Sequence, residues 1–200
     1  MRRIAVVTGK RGGYGAMKQM LKCIDRSQSM ELSLIVTDQH LNAEFGSTIN
    51  EVKSEFSVAA EVDMCQTGDA ERERVEALGT CLVKMSSVLD DIRPDIIVIY
   101  GDRGEALVSA LAAINYMIPV AHIQGGDVSG NVDELFRHAI TKLSHFHFPS
   151  NAQSADRIIR MGENKERVFI VGDSHLDAIV DKQFTSADIL DNKYDLRGGE

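Results

Sequence analysis

The most constraining feature of the chain is the segment Asp95–Tyr100, which reads Asp-Ile-Ile-Val-Ile-Tyr. Four successive large apolar residues with no polar alternation suit a strand covered on both faces, which places it at the centre of a parallel sheet. Parallel neighbours need long crossovers, usually helices. The flanking sequence supplies them. Strands are expected at Ile4–Thr8, Leu32–Thr37, Ala59–Met64, Val120–Gln124, His145–Phe148 and Val168–Val171. Helices are expected from about Tyr14 to Ile24, with Met17, Met20, Leu21 and Ile24 on one face, and over Asn42–Ser54, Glu105–Ile114, Asp133–Leu143 and Asn151–Met161. The longest is Glu71–Ile92, where Val75, Leu78, Leu82, Met85 and Leu89 recur at helical spacing and Pro94 marks the end. This alternation predicts an α/β fold, a doubly wound Rossmann-like parallel sheet built from right-handed βαβ units. Residues 1–180 form the expected domain, and 181–200, polar and weakly patterned, read as a linker or the start of a further domain.

A chain of 200 residues with 44% hydrophobic content can bury its own core without disulfides or metal. The net charge of −8 argues against nucleic acid and anionic membranes as partners, since phosphate affinity comes mainly from Lys and Arg. It leaves room for a small anion in a local basic pocket. The apolar run after Arg2-Arg3 is too short for a signal peptide, and no stretch approaches a membrane span. Cys23, Cys65 and Cys81 form no C-x-x-C and are expected to be reduced, mostly buried thiols. A cytoplasmic location follows as the expectation.

In doubly wound sheets, ligands bind beyond the carboxyl ends of the strands. Four segments there combine glycine with charge: Gly9–Gly15, Gly101–Glu105, Gln124–Gly130 and Gly172–His175. The first is a Gly-rich turn leading into a helix, suited to an anion, with Arg11 either a ligand contact or a solvated charge. It is neither a dinucleotide fingerprint nor a Walker loop. In the second, Asp102 is either a crevice carboxylate or a helix N-cap. In the third, glycines surround Asp127, and Asp133 opens a helix with Arg137 one turn later, open to an i,i+4 ion pair. His145 and His147 share one side of a strand, and with no completing ligand set they read as structural or ligand-lining rather than metal-binding. These residues describe an anionic small ligand in an α/β crevice with carboxylates nearby. They do not by themselves name a reaction.

The ordered series does. Gly101-Asp102-Arg103, His122-Ile123-Gln124-Gly125-Gly126-Asp127-Val128-Ser129-Gly130 and Asp133 through His145, including Arg137-His138-Ala139-Ile140-Thr141-Lys142, resembles the hydrolysing UDP-N-acetylglucosamine 2-epimerase family. The resemblance is closest to the branch feeding sialic- and legionaminic-acid synthesis. Thr8–Tyr14 is similar to its first-loop Arg motif, and Thr37–Leu41, which contains His40, with Phe45-Gly46 to its second loop.

The resemblance implies the first domain of a GT-B-like two-domain architecture with the active site in the cleft, a homo-oligomer at full length, and no cofactor. The implied substrate is a UDP- or GDP-linked 2-acetamido sugar. Loss of the nucleoside diphosphate leaves positive charge at C-1, which acidifies the C-2 proton; a carboxylate removes it, giving a glycal. Water then adds with reprotonation at C-2 from the other face. Asp102 and Asp133 fall on the family's catalytic carboxylates. Arg11, His40, Arg103, Gln124, Asp127, Glu134, Arg137, His145 and His147 are the implied substrate-binding set. Gln124 departs from the pattern, because many members carry Glu there and an amide is no general base. Either Asp127 or Glu134 takes that role, or the substrate differs, as with a diacetamido sugar. Without the second wall of the cleft, these 200 residues alone are expected to be inactive. The competing readings are a non-hydrolysing epimerase or GT-B glycosyltransferase, and a stand-alone sugar-nucleotide-binding domain.

Overall fold

A computed structural model describes residues 1–180 and 186–194. Six parallel strands form one sheet: β1 (Arg2–Thr8), β2 (Met30–Thr37), β3 (Val58–Val62), β4 (Ile96–Tyr100), β5 (Val120–Ile123) and β6 (Phe146–Phe148). Their order is β3-β2-β1-β4-β5-β6, which puts the topological switch point between β1 and β4. The crossovers carry α1 (Arg11–Asp25), α2 (Ile49–Glu55), α3 (Glu71–Ile92), α4 (Gly104–Asn115) and α5 (Val132–Leu143), followed by α6 (Ala152–Arg160), α7 (Asp177–Val180) and α8 (Ala187–Tyr194). Both faces of the sheet are covered, as the β4 composition requires. Val6, Leu34, Val36, Val98 and Ala121 pack beneath α1 and α2, where Met17, Leu21 and Ile24 meet them. Ala5, Val7, Ile35, Ile97, Ile99 and Val120 pack on the other face against α3, α4 and α5. Ile97 and Val98 are adjacent and buried in opposite cores, so neither β4 position tolerates a polar side chain.

The structure corrects several expectations. Along α3 the buried row is Ala77, Cys81, Met85 and Leu89, an i,i+4 ridge; Leu78 and Leu82 are partly buried, and Val75 is 68% exposed. The helix ends where Arg93 turns left-handed (φ +48°) ahead of Pro94. The span 42–54 is not one helix: a 3-10 turn at Ala43–Phe45 precedes α2, the two separated by the left-handed Gly46 and Ser47. Val168–Val171 runs beside β6 without joining the ladder. Phe169 and Val171 donate to the carbonyls of His147 and Pro149, but one isolated bridge, His147 with Val168, is all that forms. Cys23 and Cys65 are exposed and only Cys81 is buried. Of the expected linker, 181–185 and 195–200 lie outside the described residues. No helix among the described residues is long and apolar enough to cross a membrane.

Candidate functional site

At the switch point the ends of β1 and β4 separate and leave a cavity of about 240 Å³. Gly9, Lys10, Gly12 and Gly13 line it from the start of α1, Gly101, Asp102, Arg103 and Glu105 from the β4–α4 turn, and Gln124 and His175 from a third side. The amide end of α1 makes that wall favourable for a negative group. A second cavity of about 700 Å³ adjoins it, lined by Asp38, Glu44, Phe45, Arg74, Arg103, Glu105 and Asp133 among others. Arg103 and Glu105 line both.

Three strand ends turn sharply to build this surface. Asp38 after β2, Gly101 after β4 and Gln124 after β5 all have left-handed φ values, of +50°, +77° and +60°. Outside glycine that conformation costs roughly 1 kcal/mol or more, and at Gln124 the Asp173 side chain receives the amide it redirects.

The partition between the cavities is a charge triad. Arg103 donates through Nε to Glu105 at 2.9 Å and through a terminal nitrogen to Asp38 at 2.8 Å. Burial raises the Glu105 pKa, Arg103 pulls it back and Asp38 adds to the rise. For Arg103, burial works against the charge, but Glu105 and Asp38 outweigh it and hold its pKa above the ordinary value. Gly9 is what lets Glu105 in: a Cβ there would meet Glu105 Cγ and Cδ at 2.8 and 2.9 Å.

Asp102 does not cap α4; the N-cap position is Arg103, with no side-chain cap bond. Its Oδ2 accepts from Arg137, and Oδ1 has no partner among the described residues. Arg137 thus bonds across the fold rather than to Asp133, and also donates to the Asp127 carbonyl at 2.9 Å. Beneath this pair lies His122, fully buried, whose Nε2 donates to the Gly101 carbonyl at 2.7 Å while Nδ1 lies 3.2 Å from Thr141 Oγ1. Burial drives its pKa down to about 4, so the ring is neutral. Asp133 sits in the first turn of α5, behind the N-cap Asn131, and faces the larger cavity. Glu134 accepts from the Ser129 and Gly130 amides, both at 2.7 Å, which depress its pKa and close the turn before α5. Asp127 accepts from Ser154 of α6.

Of the nine expected substrate contacts, Arg103 and Gln124 line the cavities and seven do not: Asp127, Glu134 and Arg137, placed above, and four more. Arg11 is exposed in the first turn of α1, ion-paired with Glu51 at 3.2 Å, and Lys10 lines the cavity instead. His40 is fully buried with both ring nitrogens engaged, Nε2 3.0 Å from Thr8 Oγ1 and Nδ1 2.7 Å from Thr48 Oγ1; it anchors the strand ends behind the site. His147 is buried beside Glu163 at 3.4 Å, and His145 accepts from the Val120 amide through Nδ1 at 3.2 Å. Neither lines either cavity. Glu105, Tyr100 and His175 were not among the residues singled out as candidate contacts. A Glu in the first turn of a helix reads as a dipole charge, and only the glycine preceding α1 hints that something approaches it.

The whole chain is similar to known proteins. The family profile described as UDP-N-acetylglucosamine 2-epimerase matches residues 22–198. A UDP-N,N'-diacetylbacillosamine 2-epimerase (hydrolyzing) of Legionella pneumophila is 40% identical over 195 residues, 97% of this chain and 52% of that protein. A UDP-N-acetylglucosamine 2-epimerase of Neisseria meningitidis is 35% identical over 98% of this chain and 52% of its own length. Among solved structures, the UDP-GlcNAc 2-epimerase from Neisseria meningitidis bound to UDP-GlcNAc superposes with a TM-score of 0.83 at 20% identity, over 100% of this chain and 54% of that one. The chain therefore spans about half the length of the relatives it matches and forms one Rossmann-like domain of their GT-B-like architecture. On these grounds the chain belongs to the UDP-N-acetylglucosamine 2-epimerase family.

Proposed function

We propose that this chain is the N-terminal half of a cytoplasmic hydrolysing 2-epimerase. The enzyme eliminates the nucleoside diphosphate from a UDP- or GDP-linked 2-acetamido sugar and releases the free sugar inverted at C-2, of the N-acetylmannosamine type. The observation that carries this reading is Asp102. Its Oδ2 is fixed by Arg137 and its Oδ1 has no partner among the described residues, in a cavity whose other wall is the amide end of α1. A nucleotide sugar needs both elements, a carboxylate at the sugar and a positive wall for the charged leaving group. As the C-1–oxygen bond breaks, the charge left at C-1 acidifies C-2, and Asp102 takes that proton. Asp133 acts from the neighbouring cavity across Arg103, which with Gln124 lines the sugar side, while Asp127, Glu134 and Arg137 hold the loops behind it. Arg11, His40, His145 and His147 support the site from outside it. The relatives that carry hydrolyzing in their names support release of free sugar, and the diacetylbacillosamine relatives support a diacetamido substrate.

The test is incubation of the full-length protein with UDP-N-acetylglucosamine and with UDP- and GDP-diacetamido sugars, followed by NMR. Free nucleotide and free C-2-inverted sugar in equal amounts are expected from one of them. An epimerised sugar still joined to its nucleotide, or transfer only when an acceptor is added, contradicts the reading.

A further inference from the structure

We infer that His175, oriented by Asp173, is a second proton-transfer group of this crevice, delivering a proton to the sugar on the side that Gln124 cannot serve. The inference rests on the reaction proposed above.

The segment Gly172–His175 follows the stretch that runs beside β6 and folds back over the switch point. There His175 lines the same cavity as Asp102. Every polar contact of its ring falls on one nitrogen. Nδ1 lies 2.8 Å from Asp173 Oδ1, 3.3 Å from the Tyr100 hydroxyl and 3.4 Å from Gln124 Nε2. The Asp173 carboxylate also accepts from the His175 amide at 3.0 Å and from Gln124 at 3.1 Å, and its pKa is held below the usual range chiefly by the His175 N–H groups. A carboxylate on Nδ1 selects the tautomer with Nδ1–H and leaves Nε2 as the working atom. Nε2 has no partner among the described residues. Tyr100 supports the ring edge-on, with centroids 6.1 Å apart. His175 is anchored through Nδ1 and lines the cavity, with Nε2 unpartnered among the described residues, whereas His40, outside both cavities, has both ring nitrogens engaged.

Gln124 explains why such a group is needed. Inversion at C-2 requires one group to remove a proton and another to return one from the opposite face. Gln124 lines the cavity but neither gains nor gives up a proton at working pH. Its amide instead donates to Asp173, so it acts as a strut for the dyad. In the glycal the C-1=C-2 π pair takes the Nε2 proton of imidazolium His175 at C-2. That leaves neutral imidazole and an electron-poor C-1. Water then bonds to C-1 through oxygen and returns a proton to Nε2, so the histidine ends as it began.

The experiment follows products of the full-length protein by NMR in D₂O, with wild type, His175→Gln and Asp173→Ala. Wild type should yield free nucleotide and C-2-deuterated, inverted sugar. His175→Gln should still release nucleotide but accumulate the unsaturated sugar, with free-sugar formation slowed ~100-fold or more. Asp173→Ala, which keeps the imidazole and loses its orienting acceptor, should fall between the two. Free-sugar formation by His175→Gln within threefold of wild type overturns the role of His175 alone. A wild-type protein that releases no nucleotide overturns the reaction itself, and the role of His175 with it.

Discussion

The guanidinium of Arg137, in the second turn of α5, donates to the carboxylate of Asp102 at the end of β4, 35 positions earlier in the chain. Arg137 is 93% buried, and the same side chain holds the Asp127 carbonyl, so one residue ties the β4 and β5 loops together. Arg137→Gln leaves a half-buried carboxylate without its partner. Breaking a buried ion pair from one side typically costs about 3 kcal/mol. Urea unfolding should show a loss of that order, and a change under about 0.5 kcal/mol would mean the pair is incidental.

Asp102→Asn and Asp133→Asn separate chemistry from support. Neither residue caps a helix, so neither substitution removes a cap bond. Asp133 contributes its charge near the start of α5, a matter of ~0.3–1 kcal/mol, and an exposed hydrogen bond accepted from Asn131 at 3.3 Å, which an Asn side-chain oxygen can still accept. In the full-length protein each change should lower turnover by ~10²–10⁴-fold; Asp133→Asn should do so with little shift in Tm, whereas Asp102→Asn also takes the charge from the Arg137 pair and should lower Tm. Activity within a few-fold of wild type would remove that residue from the chemistry.

Two glycines three residues apart give a paired test. At Gly9 a methyl group has no room, because the Glu105 side chain fills the space, whereas at Gly12 an added Cβ meets nothing within 4 Å. Gly12 is also the second residue of α1. Gly9→Ala should destabilise by ~1–3 kcal/mol through overpacking and disturb the Glu105–Arg103–Asp38 triad. Gly12→Ala should be neutral or stabilise by up to ~1 kcal/mol. Thermal melts of the two variants check the order; a reversal contradicts the placement of Glu105.

Much of the fold was legible because burial on both faces leaves a direct trace in composition. The Ile97–Ile99 run announced the central strand, and the spacing of Met17, Leu21 and Ile24 announced the face of α1. Val168–Val171 carries the same trace yet forms no strand, since residues 169–171 are exposed beside a three-residue β6 that offers little ladder to extend. Within the site, Asp102, Arg103 and Gln124 could be placed by the rule that ligands sit beyond strand ends. Their partners could not. Spacing offered Arg137 to Asp133 four residues away, and only the packing of α5 against the β4 turn sends it to Asp102. His40 and His147 look like ligand contacts in one dimension, and nothing in the sequence says that their rings lie fully within the protein.

His122 sets an acid limit. Its folded pKa, about 4, lies below the ordinary 6.5, so the unfolded state binds more protons between those values. Its contribution is present in full above pH 6.5 and is lost as pH falls toward 4, by about 3 kcal/mol in all. Glu105 shifts the other way: its folded pKa is raised, so its contribution is lost as pH rises through that value. Comparing wild type with His122→Asn isolates the histidine. The stability gap between them should narrow by that amount from pH 7 to pH 4, and a gap independent of pH would contradict the neutral, buried ring.

The central claim is that this crevice breaks the C-1–oxygen bond and exchanges the C-2 proton in one turnover. One measurement joins both events: full-length protein, a UDP- or GDP-2-acetamido sugar, D₂O enriched in ¹⁸O, and NMR with mass spectrometry of the product. The account predicts free nucleotide together with an inverted free sugar carrying deuterium at C-2 and ¹⁸O at C-1. Free sugar without deuterium at C-2, or inverted sugar still attached to its nucleotide, would contradict it.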